Sequence, residues 1–348
     1  MSSTLSSLVN RQVRLASRPT GMTTAQNWQF TEEPVVEPAD GQVLVKTLML
    51  SLDPAMRGWL NDGRSYIPPV GIGEVMRAGG IGRVVVSKDP AFEPGDLVSG
   101  LLGVQEYCQS AAGMPGSRGL QKIDLRLGTP AQWLNVYSMP GLTAYFGLKD
   151  VGLPQPGQTL VVSGAAGAVG QTVGQLARIW GMRAVGIAGG QAKCDWVVKE
   201  LGFDACIDYK GGSVREGLKA HCPKGVDIYF DNVGGEILDH VLARLAPKAR
   251  IVICGAISQY NNLSAVQGPK NYMSLLVHRA RMEGFVIFDY TDRFPQAIAE
   301  LAGYVKDGRL KTREDIVDGG VAAFPQTLNK LFAGENFGKL VLRVASDG

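Results

Sequence analysis

Two hydrophobic patterns divide this chain. Residues 42–53, QVLVKTLMLSLD, and 81–89, IGRVVVSKD, alternate apolar with polar positions, and turn signals such as EPGD at 93–96 separate such runs. A period of two puts alternate side chains on opposite faces of a pleated strand, so the first 135 residues predict an antiparallel, partly barrel-like β domain. From residue 159 the pattern changes to short β-branched apolar runs, each followed by a loop and a stretch of helical spacing, repeating every 20 to 30 residues. The runs are TLVVSG (159–164), RAVGIAG (183–189), ACIDY (205–209), VDIYFDN (226–232), RIVICG (250–255) and MEGFVIF (282–288). Strands covered on both faces lose the alternation, and a helix between each pair requires parallel crossovers. The fold class predicted is therefore α/β, a β-rich domain plus a Rossmann-type doubly wound parallel sheet. FGKLVLRVA, at 337–345, has the period of a strand rather than of another strand-and-helix unit. The chain is expected to return to its first domain, with residues 1–135 completed by 305–348 and a cofactor domain of 136–304.

Composition narrows the partners. Apolar residues are 45% and charged residues 19% of the 348, a balance that suits two buried cores and excludes disordered and fibrous classes. The 35 basic and 32 acidic residues are scattered, with no basic run interleaved with aromatics, so no nucleic-acid partner is expected. The longest apolar stretches are broken by glycine and fall well short of the ~20 residues of a membrane span, so no membrane partner is expected either. The Ser-rich start, MSSTLSSLVNRQVRLASRP, lacks the basic and apolar segments of a secretory signal, which makes a cytoplasmic location the expectation. Five cysteines (108, 194, 206, 222 and 254) without paired spacing read as reduced thiols.

The candidate chemistry begins at residue 164. GAAGAVG follows the strand TLVVS and opens a helical stretch, so Gly164, Gly167 and Gly170 fall at a strand-to-helix turn. Glycine there lets the backbone turn tightly, approach a pyrophosphate and pack the helix on the strand, while the helix N-terminus offers N–H groups to the anion. The other reading is a tight turn that holds no ligand. An NAD site carries an acid near the end of its second strand for the ribose 2′-hydroxyl. Here that strand ends in AGGQAK, with Gly190 and Lys193 as cofactor-binding candidates and no acid. An ammonium attracts a 2′-phosphate, and Tyr209 and Lys210, at the end of the neighbouring third strand, are expected beside the same pocket, so NADPH/NADP+ is favoured. Against this stand a solvated lysine at a helix start and an edge aromatic. Asn232, in FDNVGG, has an amide suited to ribose hydroxyls or a carboxamide, and equally suits a turn before two glycines.

Hydride transfer needs a group that polarises or protonates the acceptor. Zinc does this in alcohol dehydrogenases, through Cys and His ligands. The first 135 residues hold one cysteine, Cys108, and no histidine, while His221, His240 and His278 have no metal spacing, so no metal is expected. A hydroxyl donor or the cofactor's own ribose then serves as the acid, which suits reduction of a polarised carbon–carbon double bond, with hydride to the β-carbon and a proton to the α-carbon. Tyr260, in the loop after the fifth strand, is the catalytic candidate, with pocket shaping as the alternative.

SLDPAMRGWL, MPGLTAYFGL, GAAGAVG, FDNVGGE, CGAISQYN and ENFGK together resemble the zinc-independent medium-chain dehydrogenases/reductases. Within that family the chain is most similar to the leukotriene/prostaglandin reductase and alkenal double-bond reductase group. Its N-terminal segments, SYIPPVGIGEVM among them, look nearest to bacterial curcumin reductases. The resemblance spans almost the whole chain. It implies a GroES-like first domain, a Rossmann second domain and NADPH as donor. It further implies that Lys193 and Tyr209 hold the 2′-phosphate and that Met139 and Thr143 line the cofactor cleft. By the same resemblance Ala166, Gly167, Ala168 and Val169 approach the pyrophosphate, Asn232, Cys254, Phe288 and Asn336 lie near the nicotinamide half, and Tyr260 stands over the substrate. Relatives usually read DPYMR where this chain reads DPAMR, so Ala55 is expected to enlarge the substrate pocket; Tyr66 is the side chain considered for the vacated space, against the favoured reading of an ordinary loop aromatic. The family's sixth strand pairs with its copy in a second subunit, which makes 282–288 the expected homodimer edge. The leading expectation is an NADPH-dependent reductase of α,β-unsaturated ketones or aldehydes of the curcumin or alkenal type. An NADPH quinone reductase and a non-catalytic NADPH-binding redox sensor remain the alternatives.

Overall fold

In the computed structural model the described residues are 5, 7–111, 119–262, 266 and 268–347. They form two compact units, Met1–Leu134 with Glu314–Gly348, and Asn135–Arg313. Among them no helix is long and apolar enough to cross a membrane.

In the first unit β1 (Val9–Leu15) pairs antiparallel with β2 (Trp28–Pro34). A larger sheet comprises β3 (Gln42–Ser51), β4 (Gly79–Ser87), β5 (Leu97–Leu101), β6 (Tyr107–Ala111), β7 (Gln121–Lys122), β14 (Glu314–Asp318) and β15 (Lys339–Arg343). Its order is β14-β15-β3-β4-β5-β7, with β6 also on β3. FGKLVLRVA supplies β15, which runs antiparallel to β3 with Val341 opposite Ser51. The alternation read in 42–53 is lost in the structure, because β3 is central, edged by β4, β6 and β15, and buried at seven of its ten positions. Val13, Val43, Leu50, Met76 and Val84 meet Phe324 and Leu328 of the C-terminal helix Phe324–Ala333 in one core.

The second unit holds six parallel strands: β8 (Thr159–Ser163), β9 (Arg183–Ala188), β10 (Ala205–Asp208), β11 (Val226–Asp231), β12 (Leu245–Ile253) and β13 (Arg281–Gly284). Their order, β10-β9-β8-β11-β12-β13, is the doubly wound one, with the reversal beside β8. Two departures have visible causes. The sixth strand stops at Gly284, because Phe285 turns its ring edge-on to Phe230 and Tyr290, over Gly147, and Ile287–Arg293 then coils as a 3₁₀ helix. The unit also runs on to Arg313. The buried amides of Gln171 and Gln175, on the helix after β8, clamp the backbone of Lys311 and Arg313, as in Lys311 N–H to Gln175 Oε1 at 2.8 Å.

Candidate functional site

The glycine turn closes the carboxyl end of β8. Gly164 takes φ +62°, and a Cβ on Gly170 would lie 2.2 Å from the Gly164 carbonyl oxygen, so helix and turn approach as only glycine allows. Gly167 is the N-cap of α4 (Ala168–Ile179, the fourth helix after Ala55–Trp59, Pro130–Trp133 and Met139–Phe146). It gives that helix no side-chain cap, an arrangement that receives an anion. Gly167, Ala168 and Val169 are partly open, whereas Ala166 is buried.

The ends of β9 and β10 are neighbours, with Ala188 opposite Asp208. Gly190, at φ +98°, caps α5 (Gln191–Lys199), and Lys193 sits in its first turn with its N–H on the Gly190 carbonyl. Tyr209 lies against Gly189, where a Cβ would come within 2.8 Å of the ring. Lys193 and Tyr209 thus stand on either side of one diglycine. Asp208, an acid that the search of the second strand did not reach, ends the third. Its Oδ1 accepts the N–H groups of Gly190 at 2.7 Å and Lys210 at 2.9 Å, and these, the first above all, hold the carboxyl below the usual range.

Beyond the switch in strand order, Asp231 ends β11 at 1% exposure. Its Oδ1 accepts four hydrogen bonds: Ser163 Oγ at 3.1 Å, Tyr229 Oη at 2.8 Å, Val233 N at 2.9 Å and Gly234 N at 2.8 Å. Burial raises its pKa while those donors oppose the rise. Ser163 Oγ accepts the Asn232 N–H at 3.0 Å, and Asn232 Nδ2 donates to the Ser163 carbonyl at 2.8 Å. The loop after β12 hangs on the same segment. Cys254 and Gly255 N–H groups bind the Asp231 carbonyl, and Ser258 Oγ donates to the Val233 carbonyl at 2.6 Å. Tyr260 folds back onto this loop, its Oη accepting the Ala256 N–H at 3.1 Å. Burial pushes the Cys254 thiol up to about 12, so it stays protonated at neutral pH. FDNVGG points to Asn232 through its amide before two glycines, and to Asp231 less directly. An acid closing an otherwise apolar strand was the available signal.

Met139 and Thr143, one turn apart on α3 (Met139–Phe146), are the partly open positions of an otherwise buried helix. Tyr145 Oη fixes that helix by donating to Glu300 Oε2 at 2.5 Å. Phe288, half-buried, lies in the 3₁₀ turn after β13.

The remaining candidates belong to the first unit. Ala55 opens α1 (Ala55–Trp59), partly buried, and Tyr66 is 60% exposed in the loop that follows. Asn336 is buried, its Nδ2 on the Gly338 carbonyl. The motifs around Ala55 and Asn336 are joined by an ion pair that no local sequence pattern signals. Lys339, 1% exposed, donates to Asp53 Oδ1 at 2.6 Å and the Leu52 carbonyl at 2.9 Å, and burial lowers its pKa. Arg57, also buried, holds the carbonyls of Pro19 and Gly21.

The family profiles that match are described as "N-terminal domain of oxidoreductase", over residues 11–116, and "Zinc-binding dehydrogenase", over 168–303. The donor set does not suit the zinc of that second description. Cys108 is packed in the first core with its thiol pushed up to about 11, and no group of three or more His, Cys, Asp or Glu among the described residues could hold a metal ion. A two-part α/β oxidoreductase is the class that fold and profiles define. The chain belongs to the medium-chain dehydrogenase/reductase family. It is 44% identical over 343 residues to the NADPH-dependent curcumin reductase of Escherichia coli (strain K12), covering 97% of this chain and 98% of the relative. With the 2-alkenal reductase (NADP(+)-dependent) of Nicotiana tabacum it shares 37% over 344 residues, again 97% and 98%. The crystal structure of CurA in complex with NADPH from Vibrio vulnificus superposes with TM-score 0.90 at 42% identity, covering 97% of this chain and 99% of that one.

Proposed function

We propose that this chain is an NADPH-dependent reductase of the carbon–carbon double bond in α,β-unsaturated ketones and aldehydes of the curcumin or alkenal type. The observation that carries the reading is the row of strand ends β10, β9 and β8, which aligns Tyr209, Lys193 and an uncapped helix behind a glycine turn. Related reductases named for curcumin, 2-alkenals and (+)-pulegone, 35% to 44% identical, support the substrate class.

When bound, NADPH supplies the hydride that adds to the β-carbon. Lys193 and Tyr209 hold the 2′-phosphate, with Gly190 opening the backbone beside them. The turn from Gly164 to Gly170 takes the pyrophosphate on the α4 N-terminus. Asn232, Cys254, Phe288, Met139 and Thr143, all of the second unit, surround the nicotinamide half, Cys254 as an uncharged thiol. Ala55 leaves room for bulky substrates, with Tyr66 as the side chain considered for the vacated space. Tyr260, its oxygen pinned by the Ala256 N–H, is the proton donor to the α-carbon. The functional unit is a homodimer joined along β13.

Purified protein should oxidise NADPH with an enone at least roughly tenfold faster than with a quinone of similar size, with one NADPH consumed per double bond reduced. Faster quinone turnover would replace the reading with quinone reduction, and tight NADPH binding with no turnover on either would make the chain a sensor. Tyr260→Phe should lower enone turnover by roughly tenfold or more at unchanged NADPH affinity, the scale of one lost acid.

A further inference from the structure

The hydrogen bonds around Asp231 serve more than local folding. Three loops leave the carboxyl ends of the adjacent strands β8, β11 and β12, and each carries residues assigned above to the cofactor or substrate. The glycine turn follows Ser163, the Asn232 loop follows Asp231 itself, and the Tyr260 loop follows Ile253. Asp231 is bonded to all three. Its carboxylate takes the Ser163 hydroxyl from the first and the N–H groups of Val233 and Gly234 in the second. Its carbonyl takes the N–H groups of Cys254 and Gly255 at the start of the third. Tyr229 Oη, fully buried, adds a further donor to the same Oδ1.

A buried carboxylate is costly unless its hydrogen bonds are complete, so this one is worth retaining only where it sets a geometry that a neutral side chain would not. Four donors on one oxygen leave the loops a single mutual arrangement, since moving any of them strips a bond from a desolvated charge. We infer that Asp231 is a positioning residue: through Ser163 and the Asn232 loop it fixes the glycine turn relative to the groups that face the nicotinamide, and so sets where the hydride-bearing ring lies. The inference rests on the cofactor reading above. The 2′-phosphate end has anchors of its own: Lys193 and Tyr209 are held by Gly190, Asp208 and Ala188 on the far side of β8.

That separation supplies the test. Titration of the wild-type protein, Asp231→Asn and Ser163→Ala with NADP+ and with adenosine 2′-monophosphate compares a ligand that spans the hub with one confined to the phosphate end. NADP+ affinity should fall roughly tenfold in each variant, the scale of a lost hydrogen bond to a charge, while affinity for adenosine 2′-monophosphate stays within about twofold. The double variant should weaken NADP+ binding by less than the two single effects combined, because both changes act on the one Ser163–Asp231 contact. Ser163→Ala leaves the carboxylate and its bonds to Val233 and Gly234 in place and removes only the hydroxyl that joins Asp231 and the Asn232 N–H, so it answers the question even where Asp231→Asn folds poorly. Equal weakening of both ligands would reduce Asp231 to a general stabiliser, and unchanged binding of both would also overturn the inference. Wild-type protein that bound neither ligand would defeat the cofactor reading instead.

Discussion

A lysine in the first turn of a helix faces the positive end of the helix dipole, an unfavourable place for an ammonium group, and an anion held between the two reverses the sign. Lys193 occupies such a position on α5. Replacement by alanine should raise the KM for NADPH roughly 10- to 100-fold, the scale of one charge-assisted hydrogen bond, and leave the KM for NADH within about twofold. Steady-state kinetics with both cofactors checks this, and equal effects would remove the phosphate assignment. The place of Lys193 at a helix start beyond the second strand was legible from its distance along the chain from the glycines. Asp208 was not, since its carboxylate serves the N–H of Gly190, eighteen residues away, across two strand ends. Lys339 was hidden for a related reason. A lysine in a strand reads as a solvent-facing position, and here its partner Asp53 lies 286 residues earlier.

At the scale of elements, the run-and-helix rhythm located the six parallel strands, because a strand covered by helices on both faces has to be apolar throughout. Strand ends were less legible. MEGFVIF is apolar enough for seven strand residues, yet only Arg281–Gly284 pairs, since the Phe285 ring gains more by packing on Phe230 and Tyr290 than by extending an edge. Nor does local sequence reveal that Gln171 and Gln175 keep residues 311–313 with the second unit, because buried amides binding a distant backbone have no periodicity. The turn between β8 and α4 is the element whose spacing was read most directly. A methyl on Gly170 would meet backbone at 2.2 Å and 2.8 Å, so relief requires the helix to move off the turn rather than a side chain to rotate. Gly170→Ala should therefore cost about 1–3 kcal/mol of stability, typical of overpacking, and weaken NADPH binding more than Lys193→Ala weakens NADH binding. Thermal unfolding and cofactor titration read the two effects. A variant with wild-type melting and wild-type affinity would show that the turn tolerates a Cβ and that the close approach is not needed.

The whole molecule raises the question of what covers its last strand. β13 is the outermost of six, bonded to β12 on one side, and an outer strand offers its other edge to any extended partner. The segment just before it exposes large apolar groups, Tyr272 at 59%, Leu276 at 70% and Val277 at 63%, although its neighbours Leu275 and Ala280 pack into the second core. A soluble single chain rarely leaves such side chains together in water. A second copy related by a twofold axis would answer both features at once, since two identical edges pair with each other and two identical patches cover each other. The resemblance to a family suggested the dimer, and the placement of these side chains beside the edge supplies a physical reason for it that periodicity could not. Light scattering should accordingly report twice the chain mass for the wild-type protein. The double variant Leu276→Asp, Val277→Asp should fall to the single-chain mass, because four buried carboxylates across one interface cannot be desolvated together. Its circular dichroism should remain that of the wild type, as both side chains already face solvent within one copy. A wild-type protein of single-chain mass would exclude the dimer, and a variant that stayed dimeric would move the interface away from this edge.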